Sequence, residues 1–158
     1  MSATGLRALE NRVYRIIRHP RAAEVAGGPA ADAALESLST SEFCLVVTFR
    51  RDGTPVPTPV YFALRDGALV FESDSDAAKI ARVRRDPRVR VAACTSRGRP
   101  QGPPIEAHAR ILSGEEAEGA EEALARRYGR TRRIVQRLRP SAPGHTYVEL
   151  RALSAADR

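Results

Sequence analysis

The chain has 158 residues, 42% of them apolar, and its 26 basic and 19 acidic side chains leave a net charge of +7. That length and apolar content describe one globular domain with room for a terminal extension and exclude wholesale disorder. No run of about 18 apolar residues could span a membrane, and no charged-then-apolar leader opens the chain, so a cytoplasmic location is expected.

Residues 1–19 carry Leu6, Leu9, Val13, Ile16 and Ile17 at helical spacing, with Thr4 as a cap and Pro20 as the stop. The apolar face is short and lacks Trp and Phe, which favours packing on the domain or a partner subunit over a membrane surface. Residues 20–31 are rich in Ala, Gly and Pro and read as a linker. The expected division is an extension over residues 1–30 and one domain over 31–158. A short helix over 32–40 turns Leu35 and Leu38 inward.

Three strands follow at residues 43–50, 54–64 and 68–73. They are joined by Asp52-Gly53 and Asp66-Gly67, the strongest short-range hairpin signals. The first strand is apolar nearly throughout, which predicts burial on both faces. A helix then starts near Ser75, where Ser73, Asp74, Ser75 and Asp76 all offer capping oxygens. Ile80 and Val83 face inward, and Pro87 ends it.

A strand over 89–95, a Gly- and Pro-rich loop over 97–104 and a strand over 105–112 come next. Ser113 and Glu116 form a capping box for a helix over 114–128, with Gly129 as its C-cap. A basic segment over 131–139 and a last strand over 145–153 complete the chain. Hairpins mean antiparallel pairing, which excludes a doubly wound parallel sheet. The expected class is mainly β with flanking helices, a six-stranded, closed or half-closed antiparallel barrel.

The catalytic residues stay unknown at this level, because no nucleophile elbow, phosphate-binding P-loop, zinc-protease motif or cysteine cluster is present. His19, His108 and His145 lack metal-ligand spacing, so no metal is expected. Glu106 and His108 share one strand face, as an acid–base pair or simply as a polar exterior. Cys44 and Cys94 fall inside strands without a Cys-His or CxxC pattern and read as buried, reduced thiols.

Twenty-five of the 26 basic residues are Arg, and Lys79 is the one lysine. The richness in Arg, Ala, Gly and Pro fits a GC-rich coding bias, and the remaining charge favours anionic partners. The run Arg126–Arg139 could meet nucleic acid phosphates, but it has neither interleaved aromatics nor a helix-turn-helix pattern, and no nucleic-acid partner is expected.

Two stretches are more specific. Pro55, Pro57 and Pro59 sit at alternate positions, so one edge of their strand cannot donate hydrogen bonds. That edge borders either solvent, as protection against aggregation, or a ligand. Ser73 to Lys79 spans a helix start, where free N–H groups, hydroxyls and a lysine could hold a phosphate. Simple helix capping is the alternative, and Asp74 and Asp76 compete for the same amides.

The segment TFRRDGTPVPTPVYFALRDGALVFESDSDAAKIARVRRDPRVRVAAC, followed by RGRPQGPPIEAHARIL, resembles the pyridoxamine 5'-phosphate oxidase-like split-barrel superfamily. It is most similar to the oxidoreductases of that group that depend on coenzyme F420. The similarity covers roughly residues 35–153. It implies a six-stranded split barrel that dimerises and binds its flavin or deazaflavin at the subunit interface.

By the same resemblance, Thr58, Pro59, Val60 and Tyr61 line the cofactor ring. Ser73, Ser75 and Lys79 hold its phosphate, Arg82 or Arg97 supplies the charge for the acidic tail of F420, and Gly98 is among the cofactor-binding residues. Ala77 and Ala78 stand where the family often has an Arg, which weighs against tight FMN binding. The activity implied is hydride transfer between F420 and a small electrophilic substrate. The alternatives are an FMN-dependent oxidoreductase, a non-catalytic cofactor carrier and, more distantly, a basic nucleic-acid-binding module.

Overall fold

The computed structural model of the chain describes residues 19–138 and 144–157, so the helix expected over 1–19 lies outside the described residues except for His19. Among the described residues, seven strands form one antiparallel sheet. They are β1 (Phe43–Phe49), β2 (Pro55–Tyr61), β3 (Ala63–Arg65), β4 (Ala68–Asp74), β5 (Arg88–Cys94), β6 (Ile105–Leu112) and β7 (His145–Ala152). The helices are α1 (Glu24–Gly27), α2 (Ala78–Arg85) and α3 (Gly114–Leu138).

The strands lie in the order β2-β1-β5-β6-β7-β4-β3. β2 and β3 are at opposite ends of that order, yet only Phe62 separates them in sequence. One extended run therefore leaves the sheet edge at Tyr61 and joins the other edge at Ala63. This is why seven strands stand where six are expected: the second is split in two. The barrel is bridged by the chain itself and not by a ladder of hydrogen bonds, which is the architecture of a split barrel.

Turn chemistry fixes the hairpins. Asp66 and Gly67 both have positive φ, 51° and 72°, which matches the twist of two paired strands. At the β1–β2 turn, Gly53 has φ 82° and the Asp52 carboxylate accepts the Thr54 N–H at 2.9 Å. Side chains then alternate across the sheet. Inside lie Cys44, Val46, Val60, Phe71, Val91 and Leu150, and α2 adds Ile80 and Val83 to the same cluster.

The outer face of β1 and β5 carries Leu45, Val47, Ala92 and Cys94, and these pack against Ala22 and Val25. β1 is thus buried on both faces, as its unbroken apolar run predicts. The segment expected to be a linker instead covers the sheet, with Ala22 and Val25 only 1% and 2% exposed. Arg90 anchors it: Nη1 donates to the carbonyls of Ala26 at 2.9 Å and Gly28 at 2.7 Å. Deleting residues 1–28 is therefore expected to cost at least about 2 kcal/mol, because a buried Val alone is worth that much. Urea denaturation of the truncated chain would measure the loss.

On the other flank, α3 lays Ala120, Ala123 and Leu124 over Ala63, Val70 and Leu112. As expected, its first helical segment closes at Gly129, whose φ of 48° and ψ of −122° are not helical and suit glycine, and a second helical segment runs on to Leu138. α2 differs from expectation, since it opens at Ala78 rather than near Ser75.

Candidate functional site

Three structural features frame the site: the edge strand β2, the start of α2, and the seam at Phe62. β2 pairs with β1 so that Val56, Thr58 and Val60 lie opposite Thr48, Val46 and Cys44. Pro55, Pro57 and Pro59 lie opposite Phe49, Val47 and Leu45 and have no N–H to give. The ladder to β1 therefore rests on the three non-proline residues. β2 ends the sheet, so its proline side has no strand beside it.

Alternation sends the four expected ring contacts to two faces. Thr58 and Val60 face inward, and Val60 belongs to the interior cluster. Pro59 and Tyr61 face outward, and the Tyr61 ring rests against Phe43 at 4.5 Å and Tyr128 at 4.9 Å between centroids. Gly98 joins the outer group, since a Cβ on it would lie 3.2 Å from both Leu45 Cδ1 and Pro59 Cγ. Glycine is needed there for close packing and for a φ of 81°. The neighbouring Arg97 is exposed, and its carbonyl accepts the His19 N–H at 2.8 Å.

The start of α2 gathers a different set. Ser73 is 5% exposed and lies opposite Thr146, itself 8% exposed. Thr146 Oγ1 donates to Ser75 Oγ at 2.8 Å. Ser73 Oγ is 3.4 Å from the Asp74 carbonyl, a weak contact. The backbone N–H of Ser75 is fixed by the Gly144 carbonyl at 3.1 Å, and that of Ala77 by the Asp74 carbonyl at 3.0 Å. Ala77 is the N-cap, and no side chain caps the helix. The Ser73 and Ser75 hydroxyls expected to do so meet the Asp74 carbonyl and Thr146 instead.

Lys79 follows within the first turn and is half-buried. Its charge is felt at the Cys44 thiol on the inner side of β1. Further along α2, Arg82 Nε donates to Thr48 Oγ1 at 2.7 Å, and that threonine is 1% exposed. Ser73 and Ser75 thus lie just ahead of α2 and Lys79 in its first turn, with Arg82 farther along the same helix. Arg97 and Gly98 lie across the β1–β2 sheet from them. Thr48 and Thr146 escape sequence reasoning, because a lone threonine in an apolar strand carries no local signal.

The seam at Phe62 is sealed by Tyr128. Its hydroxyl accepts the Phe62 N–H at 3.1 Å and lies 2.7 Å from the carbonyls of both Phe62 and Glu42, to one of which its proton goes. Burial raises the Tyr128 phenol above its ordinary value. Beside it, the Arg127 guanidinium stacks 4.2 Å over the Phe62 ring and donates to the carbonyls of Ser39 and Ser41. Two open concavities of about 330 Å³ flank Arg127, and neither reaches β2 or the start of α2.

Burial also raises Cys44 well above the thiol range and pushes Cys94 up to about 12. Both thiols are unpaired. The native state keeps these protons while the unfolded chain releases them first. Stability is therefore whole below the ordinary thiol value of 9.0 and falls as pH climbs from there toward 12. Melting temperatures compared near pH 8 and near pH 11 should show the drop, and Cys94→Ala should make it shallower.

No three His, Cys, Asp or Glu side chains converge as metal ligands among the described residues, and no described helix is long and apolar enough to cross a membrane.

Comparison with solved structures finds the same fold at low identity. A conserved hypothetical protein from Mycobacterium tuberculosis superposes with a TM-score of 0.54 at 20% identity, covering 80% of this chain and 90% of its own. A FAD-binding protein from Mesorhizobium loti gives 0.56 at 18%, covering 77% and 88%. The heme storage protein HutZ from Vibrio cholerae gives 0.56 at 12%, covering 76% and 87%. No curated protein matches the sequence. Residues 30–156 match the family described as pyridoxamine 5'-phosphate oxidase, a span that contains every strand of the sheet. With the split barrel and this match together, the chain belongs to the pyridoxamine 5'-phosphate oxidase family.

Proposed function

We propose that the chain is a homodimeric oxidoreductase that uses coenzyme F420 to exchange a hydride with a small electrophilic substrate. The observation that carries the reading is the start of α2. There a helix N-terminus without a side-chain cap follows the hydroxyls of Ser73, Ser75 and Thr146, and Lys79 stands in its first turn. Backbone N–H groups, hydroxyls and one cation are the donor set that a phosphate takes. Asp74 is the next residue in the strand alternation after Ser73, on the opposite face, which reduces its competition for those donors.

In this reading Lys79 and the helix amides hold the phosphate. The proline side of β2 leaves room for a flat ring, and Thr58 and Val60 set its distance from the interior. The apolar interior keeps water from the reacting face. The bound deazaflavin supplies the redox chemistry itself. Arg97 and Gly98 sit on the other side of the β1–β2 sheet from Lys79, so a second copy would have to bring them to the same ligand. That requirement supports a cofactor held between two subunits.

Family membership supports a cofactor of the flavin type, and Ala77 and Ala78 before Lys79 favour F420 over FMN. A second reading, binding without turnover, is favoured by the heme storage protein among the structural relatives. Titration with F420 and with FMN, followed by fluorescence, separates these readings. Failure of both to bind below about 100 μM, an affinity of ~5.5 kcal/mol, ends the cofactor reading. Binding of F420 without reduction of any carbonyl, ene or nitro substrate would favour the carrier. Sedimentation of the loaded protein tests the dimer.

A further inference from the structure

The surface arginines differ in their partners. Arg21, Arg65, Arg90, Arg110 and Arg151 each lie within salt-bridge distance of a carboxylate. Arg50, Arg51, Arg84 and Arg85 are exposed and are in no ion pair among the described residues. The fold gathers these four at one end of the barrel. Arg50 and Arg51 stand at the β1–β2 turn, Arg84 and Arg85 in the last turn of α2, and Arg85 Nη2 donates to the Phe49 carbonyl. Arg82 draws the helix onto β1 through Thr48. Two acids lie nearby and offset part of this charge: Asp52 accepts the Thr54 N–H and feels Arg50, and Asp86 takes the Arg88 N–H and guanidinium and feels Arg85.

We propose that this end of the barrel binds the phosphodiester backbone of double-helical DNA, independently of base sequence. The expectation of no nucleic-acid partner rests on missing motifs for reading bases, and a contact to the backbone alone needs none. All four cations are arginines, whose planar fork matches phosphate oxygens. The surface is an exposed turn beside a helix end, without the enclosure that a small anion needs. Asp52, Gly53 and Thr54 at the tip offer no apolar group to insert into a lipid layer. An acidic protein partner would need an apolar anchor, and the patch has none. A DNA duplex needs neither, because it presents one charge per ~1.7 Å of its axis.

The test is fluorescence anisotropy of the full chain with a labelled duplex of arbitrary sequence. With about four phosphate contacts, log affinity should fall against log salt with a slope of about −4, a loss of about two orders of magnitude between ~50 and ~200 mM KCl. R50E/R51E/R84E/R85E should weaken binding at least tenfold. R50E/R51E alone, which leaves α2 untouched, should weaken it about fivefold. R99E/R126E, at exposed arginines outside this group, changes the net charge as much as R50E/R51E and should stay within about twofold of the parent. Absence of saturable binding by the parent chain overturns the proposal. So does an equal loss in the control variant, or binding of poly-glutamate as tight as that of DNA. None of these readouts requires the F420 reading to hold.

Discussion

Tyr128→Phe is expected to lower the stability of the barrel by about 2 kcal/mol while leaving its fold intact. The phenyl ring that packs on Tyr61 and under Arg127 is kept, so the change isolates the hydroxyl. That oxygen accepts the Phe62 N–H and donates at the point where the chain passes from β2 to β3. No ladder supplies a substitute there, because the strands on either side pair with different partners. A buried donor left without its acceptor costs ~1–3 kcal/mol. For a domain of this size ~2 kcal/mol corresponds to a fall of about 4–8 °C in melting temperature.

Hydrogen exchange gives the sharper measurement. Protection of the Phe62 amide should drop far more than that of β6, in the middle of the sheet. A loss of stability under about 0.5 kcal/mol would mean that water replaces the hydroxyl and that the seam does not depend on Tyr128. Tyr128→Ala also removes the half-buried ring and should cost about 3 kcal/mol, the low end of the range for deleting a buried aromatic side chain.

Much of this arrangement was legible in the chain, and the exceptions share a cause. β6 spans 105–112 and both Asp-Gly turns stand where the sequence expectation has them, because alternation and turn chemistry are local properties. The split of the second strand at Phe62 was not legible. Extended character continues through it, and nothing local records that Val60 pairs with β1 while Ala63 pairs with β4. Ala22 and Val25 looked like a linker because turns of four residues are too short to display a period. The start of α2 moved to Ala78 because a distant partner, the Gly144 carbonyl, holds Ser75 in a turn.

The same distinction runs through the candidate site. Ser73, Ser75 and Lys79 are close in sequence, so their proximity needs only a turn and a helix. Arg97 and Gly98 are distant from them in sequence, and which face of the sheet they occupy depends on packing. Gly98 is set by its close approach to Leu45 and Pro59. Thr48 and Tyr128 act through partners 34 and 66 residues away, at Arg82 and Phe62. No spacing rule reaches that far.

Lys79→Ala is expected to weaken cofactor binding between about tenfold and about 150-fold. A charge-assisted contact to phosphate is worth ~1.5–3 kcal/mol, and each ~1.4 kcal/mol is a factor of ten in affinity. The chain has no second lysine to substitute, and the other cation on the inner side of α2, Arg82, is held at Thr48 by a 2.7 Å hydrogen bond. Lys79→Arg should recover part of the affinity, because the charge returns on a side chain of different shape. Lys79→Met keeps most of the buried stem and should behave like Ala in binding but like the parent in melting, which separates a lost phosphate contact from a loosened helix. Fluorescence titration with F420 measures all three variants. An unchanged dissociation constant for Lys79→Ala would move the phosphate away from α2. The hydroxyls of Ser73, Ser75 and Thr146 would then have to be explained as internal partners of β4 and β7 alone.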